Sequence, residues 1–108
     1  MQSVVGATGG MSVVVTPSYY NVTGSGVTTT ASFTAHPTGG TPAYTYAWSQ
    51  VSGDSSIVIN TPAVASTSFS YTLVAADYVV GTFACKVTDS HSLMATSNTV
   101  TVTFQGIF

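Results

Sequence analysis

Apolar and hydroxyl-bearing residues alternate with period two along most of this chain, the pattern of β-strands with one buried and one solvated face. No stretch shows a sustained helical period. The alternation predicts seven short strands, separated by turns rich in glycine, proline, serine and asparagine. Their predicted bounds are 11–16, 28–35, 44–51, 57–59, 66–73, 81–89 and 95–104. Such a series favours an all-β, two-sheet antiparallel sandwich over a barrel or an α/β fold.

The same alternation assigns the inward side of each strand. In the second strand Ala31, Phe33 and Ala35 share one face, and in the third strand Tyr44, Tyr46 and Trp48 do so. We expect Trp48 to be the centre of the core. The predicted structural core comprises Phe33, Trp48, Phe69, Phe83, Cys85 and Val87.

Length and composition indicate one domain with an unusual surface. A chain of 108 residues can bury a two-layer core without metals or disulfides. Charged residues make up only 4% of it, against about a quarter in ordinary soluble proteins, so serine and threonine must form the solvated face. We predict an N-terminal arm at 1–10, the domain at 11–104 and a tail at 105–108.

The charges exclude some classes of partner. Lys86 is the sole basic residue, and the acidic residues are Asp54, Asp77 and Asp89, so the net charge is -2. Without a basic stripe the chain is not expected to bind nucleic acid or anionic membranes. Its apolar runs are far shorter than the about 20 residues of a membrane span.

The cysteine content and the first residues of the sequence give an indication of the cellular compartment in which the chain folds. The single Cys85 cannot form an internal disulfide, and residues 1–6 do not have the pattern of a secretory signal. Both features fit folding in a reducing cytosol, or a family that dispenses with the disulfide.

Three segments resemble the immunoglobulin-like superfamily, and most closely its PKD-like and bacterial or phage modules. They are GGTPAYTYAW at 39–48, DYVVGTFACK at 77–86 with VTD at 87–89, and SNTVTV at 97–102. The resemblance places Trp48 on strand C and Cys85 on strand F of that fold. Asp77, Gly81, Phe83 and Cys85 approximate its strand F signature.

The chain departs from this family pattern in three ways. The spacing from Asp77 to Gly81 is longer, and Phe83 replaces the tyrosine whose hydroxyl makes the tyrosine corner. The cysteine of strand B is also missing, and we expect Phe33 to fill its space. This superfamily carries many unrelated activities, so the resemblance concerns the fold far more than the function.

Potential catalytic and metal-binding groups are few and dispersed. His36 and His91 are expected in loops without metal-ligand neighbours, and Asp89-Ser90-His91 lies in one turn, where a catalytic triad cannot converge. The three aspartates are expected to cap turns and Cys85 to be a buried, inert thiol. We therefore expect no enzyme activity, no cofactor and no metal.

The tyrosines and the chain ends are the remaining candidates for binding. Aromatic rings suit stacking on sugars, but Tyr44 and Tyr46 are expected to cover one end of the sandwich beside Trp48. Only the loop tyrosines among Tyr19, Tyr20 and Tyr78 would then be free. At the chain ends, candidate attachment residues are Val4, Val5, Ile107 and Phe108, with the loops at Gly39-Gly40 and Ser90-His91 lying elsewhere. Ordinary frayed termini would account for the same residues.

The amino-acid composition, which is poor in charge, rich in serine and threonine and allows no internal disulfide, resembles that of modules that decorate tailed-phage particles. The resemblance implies a non-catalytic virion protein, a capsid decoration or tail or neck subunit present in many copies and bound to other virion proteins. The alternative is a carbohydrate-binding or adhesion module of a bacterial surface protein or secreted hydrolase, with a surface glycan as its ligand.

Overall fold

The computed structural model describes residues 10–107, and within that range the chain forms eleven β-strands and no helix. No helical segment capable of crossing a membrane is therefore found in this part of the chain. The strands are β1 (Ser12–Thr16), β2 (Tyr19–Gly24), β3 (Gly26–Thr29), β4 (Phe33–Thr38), β5 (Thr45–Gly53), β6 (Val58–Ile59), β7 (Ser66–Thr67), β8 (Phe69–Leu73), β9 (Tyr78–Thr88), β10 (Met94–Thr96) and β11 (Val100–Gly106).

One layer is a five-stranded sheet built around β9, the longest strand. β9 pairs antiparallel with β5 along one edge, and with β11 and then β10 along the other. β2 extends the sheet by pairing parallel to β11, with Tyr19 opposite Thr101 and Gly24 opposite Gly106. The second layer consists of two three-stranded sheets, β1–β4–β7 and β3–β8–β6. The predicted all-β immunoglobulin-like sandwich is confirmed, with more strand segments than seven.

The extra segments arise largely because predicted strands are interrupted. The predicted strand 28–35 is divided into β3 and β4, and 66–73 into β7 and β8, with the halves in different sheets. At the break the N–H of Thr30 donates to the Phe69 carbonyl (2.9 Å), and the N–H of Phe69 donates to Thr30 Oγ1 (3.1 Å). Ala31 lies in the break and is exposed, so its predicted inward position is wrong.

Two other segments differ from the prediction. Residues 36–38, expected in a loop, complete β4 because β1 pairs with them. Pro37 is tolerated there because β7 ends before it, so no strand requires its missing N–H on that side. The predicted last strand is divided at Ser97–Thr99 into β10 and β11.

β2 was not predicted at all. Its residues do alternate, since Tyr20 and Val22 pack against the core while Tyr19, Asn21 and Thr23 are exposed. The strand is short and lies between Pro17 and the sequence Gly24-Ser25-Gly26, which are turn signals.

The core is a cluster of aromatic rings surrounded by aliphatic side chains. Phe33, Phe69, Phe83, Cys85 and Val87 are fully buried, and Trp48 is 5% exposed. Phe69 is the ring with the most aromatic neighbours: its centroid lies 4.3 Å from Phe83, 5.3 Å from Phe33 and 6.2 Å from Trp48. Trp48 therefore flanks the ring cluster instead of forming its centre, and its indole N–H donates to the Val64 carbonyl (2.8 Å).

Candidate binding face

The side chains that could bind a metal ion are dispersed over the described residues. Within 10–107 no three His, Cys, Asp or Glu side chains lie close enough to share a metal ion, and no pocket is detected there. His36 lies on β4, where its Nε2 is 3.0 Å from Thr16 Oγ1, and His91 is exposed in the turn after β9.

All three aspartates accept hydrogen bonds from turn backbone, as expected. Asp54 accepts from the N–H of Ser56 (2.8 Å), and Asp77 accepts from the N–H of Val74 (2.9 Å). These contacts fix the turns before β6 and before β9.

Asp89 does more than cap its own turn. One carboxylate oxygen accepts from the N–H of Thr41 (2.9 Å), and the other accepts from the N–H groups of His91 (2.9 Å) and Leu93 (2.8 Å). The bond from Thr41, which is the largest cause, together with those from Leu93 and His91, holds the pKa of Asp89 below its ordinary value, although partial burial opposes the shift. This carboxylate thus joins two loops at one end of the sandwich.

Cys85 is buried on β9, facing the core. Burial raises the pKa of its thiol above the ordinary value, while a backbone hydrogen bond at Ala47 opposes the shift. A neutral, inaccessible thiol of this kind is a packing group and not a nucleophile.

The two ends of the described range, 10–107, lie at opposite ends of β9. Gly10 and Met11 lie beside Gly39 and Gly40, near the Thr88 end, whereas Gly106 pairs beside Asp77, near the Tyr78 end. The loop at Gly39-Gly40 was expected away from the termini, and this expectation is wrong, because it contacts the start of the described chain.

The candidate attachment residues fall on both sides of the described range. Val4, Val5 and Phe108 lie outside the described residues. Ile107 follows β11 and is 67% exposed. The last strand continues through Gly106, so Gln105 and Gly106 of the predicted tail are part of the sheet.

The tyrosines separate into two groups. Tyr20, Tyr44 and Tyr46 pack against the core, and the Tyr44 hydroxyl donates to the Gly39 carbonyl (2.8 Å). Tyr19 and Tyr78 are 52% and 66% exposed, and both point outward from the five-stranded sheet, because their neighbours Tyr20 and Val79 point inward. The structure thus brings two exposed rings, distant in sequence, onto one surface.

We call this surface the tyrosine face. Its cross-strand rows follow from the register: Tyr78 lies beside Gln105 and Thr23, Val80 beside Thr103 and Asn21, and Thr82 beside Thr101 and Tyr19. Ser52 of β5 extends the last row, with its Oγ 2.6 Å from Thr82 Oγ1. The two tyrosines are four residues and two strands apart, a diagonal of about 16 Å between their Cα atoms.

The rows that form the tyrosine face carry no charged side chain. Asn21, Thr101 and Gln105 supply hydroxyl and amide groups beside the rings, which can both donate and accept hydrogen bonds. In the middle row Val80 is a partly exposed apolar side chain and Thr103 is buried. Sequence reasoning missed this surface because β2 was not recognised as a strand. The signal that could have revealed it is the alternation of Tyr20 and Val22 with Tyr19, Asn21 and Thr23.

Comparison with known proteins relates the chain to others through its fold alone. The sequence matches no protein-family model and no curated protein. Its structure is similar to the PKD domain from human KIAA0319, with a TM-score of 0.62 at 14% identity, covering 98% of this chain and 93% of that one.

A second similar structure is a nucleoside hydrolase-related hypothetical protein from Saccharophagus degradans that is associated with carbohydrate metabolism. The TM-score is 0.56 at 19% identity, covering 90% of this chain but only 25% of that one, so the similarity spans about a quarter of the longer protein. Together with the confirmed sandwich, these similarities show that the chain has a PKD-like, immunoglobulin-like fold.

Proposed function

We propose that this chain is a non-catalytic binding or adhesion module that recognises a neutral polysaccharide through the tyrosine face. The observation that carries the proposal is the placement of Tyr19 and Tyr78, two exposed rings on one face of the five-stranded sheet, with hydrogen-bonding side chains beside them and no charged side chain in their rows. The Saccharophagus degradans structure, described as associated with carbohydrate metabolism, is compatible with this role.

The chemistry of the tyrosine face matches that of a sugar chain. A sugar ring has an apolar face of C–H groups, which stacks on an aromatic ring, and hydroxyl groups at its rim. Tyr19 and Tyr78 supply the rings, and Asn21, Thr101 and Gln105 lie between or beside them as donors and acceptors. The span of about 16 Å exceeds one sugar ring, which favours an oligosaccharide or a polymer as the ligand.

The experiment measures binding of the full chain to neutral polysaccharides. Insoluble cellulose and chitin serve in sedimentation assays, and soluble xylan and amylose in calorimetry. We expect one of these probes to bind with little dependence on salt, since the tyrosine face has no charge to screen.

Variants locate the binding. Tyr19→Ala and Tyr78→Ala should each weaken it, and the double variant should abolish it. Val27→Ala is the control, because Val27 is also exposed but lies on β3 in the other layer. Failure of every probe to bind the folded chain, or undiminished binding by the double variant, would refute the proposal.

A second candidate is a structural subunit of a tailed-phage particle, present in many copies. What favours it is the surface: one lysine and three aspartates leave little electrostatic repulsion between copies, and Ile107 exposes an apolar side chain at one end. The module would then be bound to capsid or tail proteins instead of a cell surface.

Truncation tests this second candidate. The deletions are residues 1–10 and, separately, residues 107–108, which spare β11 and the buried Met11. Their incorporation is measured in particles purified from infected cells. Loss of incorporation by either folded truncation supports terminal anchoring, whereas normal incorporation of both excludes it.

A further inference from the structure

Among the described residues, 10–107, the outer edge of β2 is open. β2 pairs with β11 on one side, and no strand of residues 10–107 pairs with it on the other. The N–H of Thr101 donates to the Ser18 carbonyl, and the N–H of Ile107 to that of Gly24, so even-numbered residues direct their backbone groups toward β11. The N–H and C=O groups of Tyr19, Asn21 and Thr23 therefore point to the open edge.

The edge of β5, by contrast, is closed. The N–H of Trp48 donates to the Pro62 carbonyl (2.9 Å), and Gln50 Nε2 donates to the carbonyls of Ser52 (3.1 Å) and Asp54 (2.8 Å). A register shift opposite Thr82 and Phe83 adds a β-bulge. These are the devices that ordinarily prevent an edge strand from pairing with another chain.

The edge of β1 is closed as well. The N–H of Val15 donates to Asn98 Oδ1 (2.8 Å), and Asn98 Nδ2 donates to the Val15 carbonyl (3.3 Å). The other edge strands, β3, β6, β7 and β10, have four residues or fewer. β2 is thus the longest open edge in the described part of the chain, and its sequence YYNVTG contains no charge and no proline.

We propose that two copies of this chain dimerise by antiparallel pairing of their β2 strands about Asn21. In this register Asn21 pairs with Asn21 of the partner subunit, and Tyr19 pairs with Thr23 of the partner subunit. The backbone N–H groups that point to the open edge of each β2 strand then donate hydrogen bonds to the carbonyls of the other strand.

The side chains of β2 are self-complementary in this register. On the inner face, half-buried Tyr20 meets Val22 of the partner subunit, an aromatic–aliphatic pair that gains burial. On the outer face Tyr19 meets a threonine, and no like charges oppose one another. The two five-stranded sheets become one continuous sheet, with both tyrosine faces on the same side.

Charge substitutions at Asn21 test the dimer through its mass, independently of any glycan. Light scattering of the full chain should give twice the 11.0 kDa chain mass as protein concentration rises. Asn21→Lys, or Asn21→Asp, places like charges directly opposite across the twofold axis and should weaken dimerisation about fivefold or more. A mixture of the two variants should restore the dimer, because the charges then attract.

Ser49→Lys is the matched control, since it adds the same charge to the closed edge strand β5 and should leave the dimer unchanged. A wild-type chain that stays monomeric at every concentration would overturn the proposal. So would a dimer that survives both Asn21 substitutions, or a mixture of the two variants that stays monomeric. Circular dichroism establishes that each variant is folded.

Discussion

At the scale of single residues, Trp48 has a dual role, since it packs its ring against Phe69 and satisfies the Val64 carbonyl. We expect Trp48→Ala to lower the free energy of unfolding by about 3 to 5 kcal/mol, as for other buried large aromatics. Urea denaturation measures the change. Val51→Ala, at an exposed position of the same strand, should stay within about 0.5 kcal/mol, and an equal loss in both variants would contradict the assignment.

Cys85 should not react with thiol reagents in the folded protein. Its burial and its raised pKa leave a neutral thiol that a thiol reagent cannot reach. We expect labelling only after denaturation, whereas a cysteine introduced at exposed Ser49 should react at once. Rapid labelling of native Cys85 would mean that β9 has the opposite inward face.

Asp89 makes stability depend on pH. Because its pKa in the folded state lies below the ordinary value, its contribution is fully present above that ordinary value, about 3.9, and is lost as the pH falls through the folded pKa. Asp89→Ala should therefore lower the thermal midpoint at pH 7 more than Asp54→Ala does, since Asp54 accepts from a single backbone N–H. The difference in thermal midpoint between the two variants should become smaller in acid. A difference that stays the same in acid would exclude the ionised Asp89 carboxylate as its cause.

At the scale of elements, the two layers are joined by side chains as well as by the core. Asn98, between β10 and β11, binds both backbone groups of Val15 in β1. Asn98→Ala leaves these groups without a partner beside the buried Val15 side chain, and should cost about 1 to 3 kcal/mol in unfolding free energy. Thr99→Ala, one residue away and exposed, is the control, and equal midpoints for both variants would refute the role of Asn98.

At the scale of the whole molecule, the domain measures 58 × 19 × 18 Å and carries few charges. Its stability must come from burial and hydrogen bonding, because exposed ion pairs contribute little even where they exist. We expect the urea midpoint to be nearly the same at low and at moderate sodium chloride concentration. The general stabilisation of proteins by salting out is measured on a reference protein with few charges and subtracted. A marked loss of stability on adding salt would reveal a charge network.

Much of this architecture could be predicted from the alternation of residues. Phe33, Phe69, Phe83, Cys85 and Val87 were assigned to inward faces, and all are fully buried. The prediction succeeds because successive side chains of a strand point to opposite faces. A strand with one buried face therefore shows an alternation that can be read from neighbouring residues. The family resemblance then indicated which strands carry Trp48 and Cys85.

The tyrosine face, the link from Asp89 to Thr41 and the open edge of β2 could not be predicted in this way. Each depends on residues far apart in sequence: Tyr19 lies beside Thr101, and Asp89 binds Thr41, through contacts that form only when the layers assemble. The breaks within the predicted strands are likewise set by which partner strand each half meets. The sequence by itself determined which residues form strands and which sides they bury, whereas the tertiary structure decided which strands are neighbours and hence which exposed side chains share a surface. The physical reason is that burial on one side of a strand is a local property, while pairing and register are fixed by the packing of the whole chain.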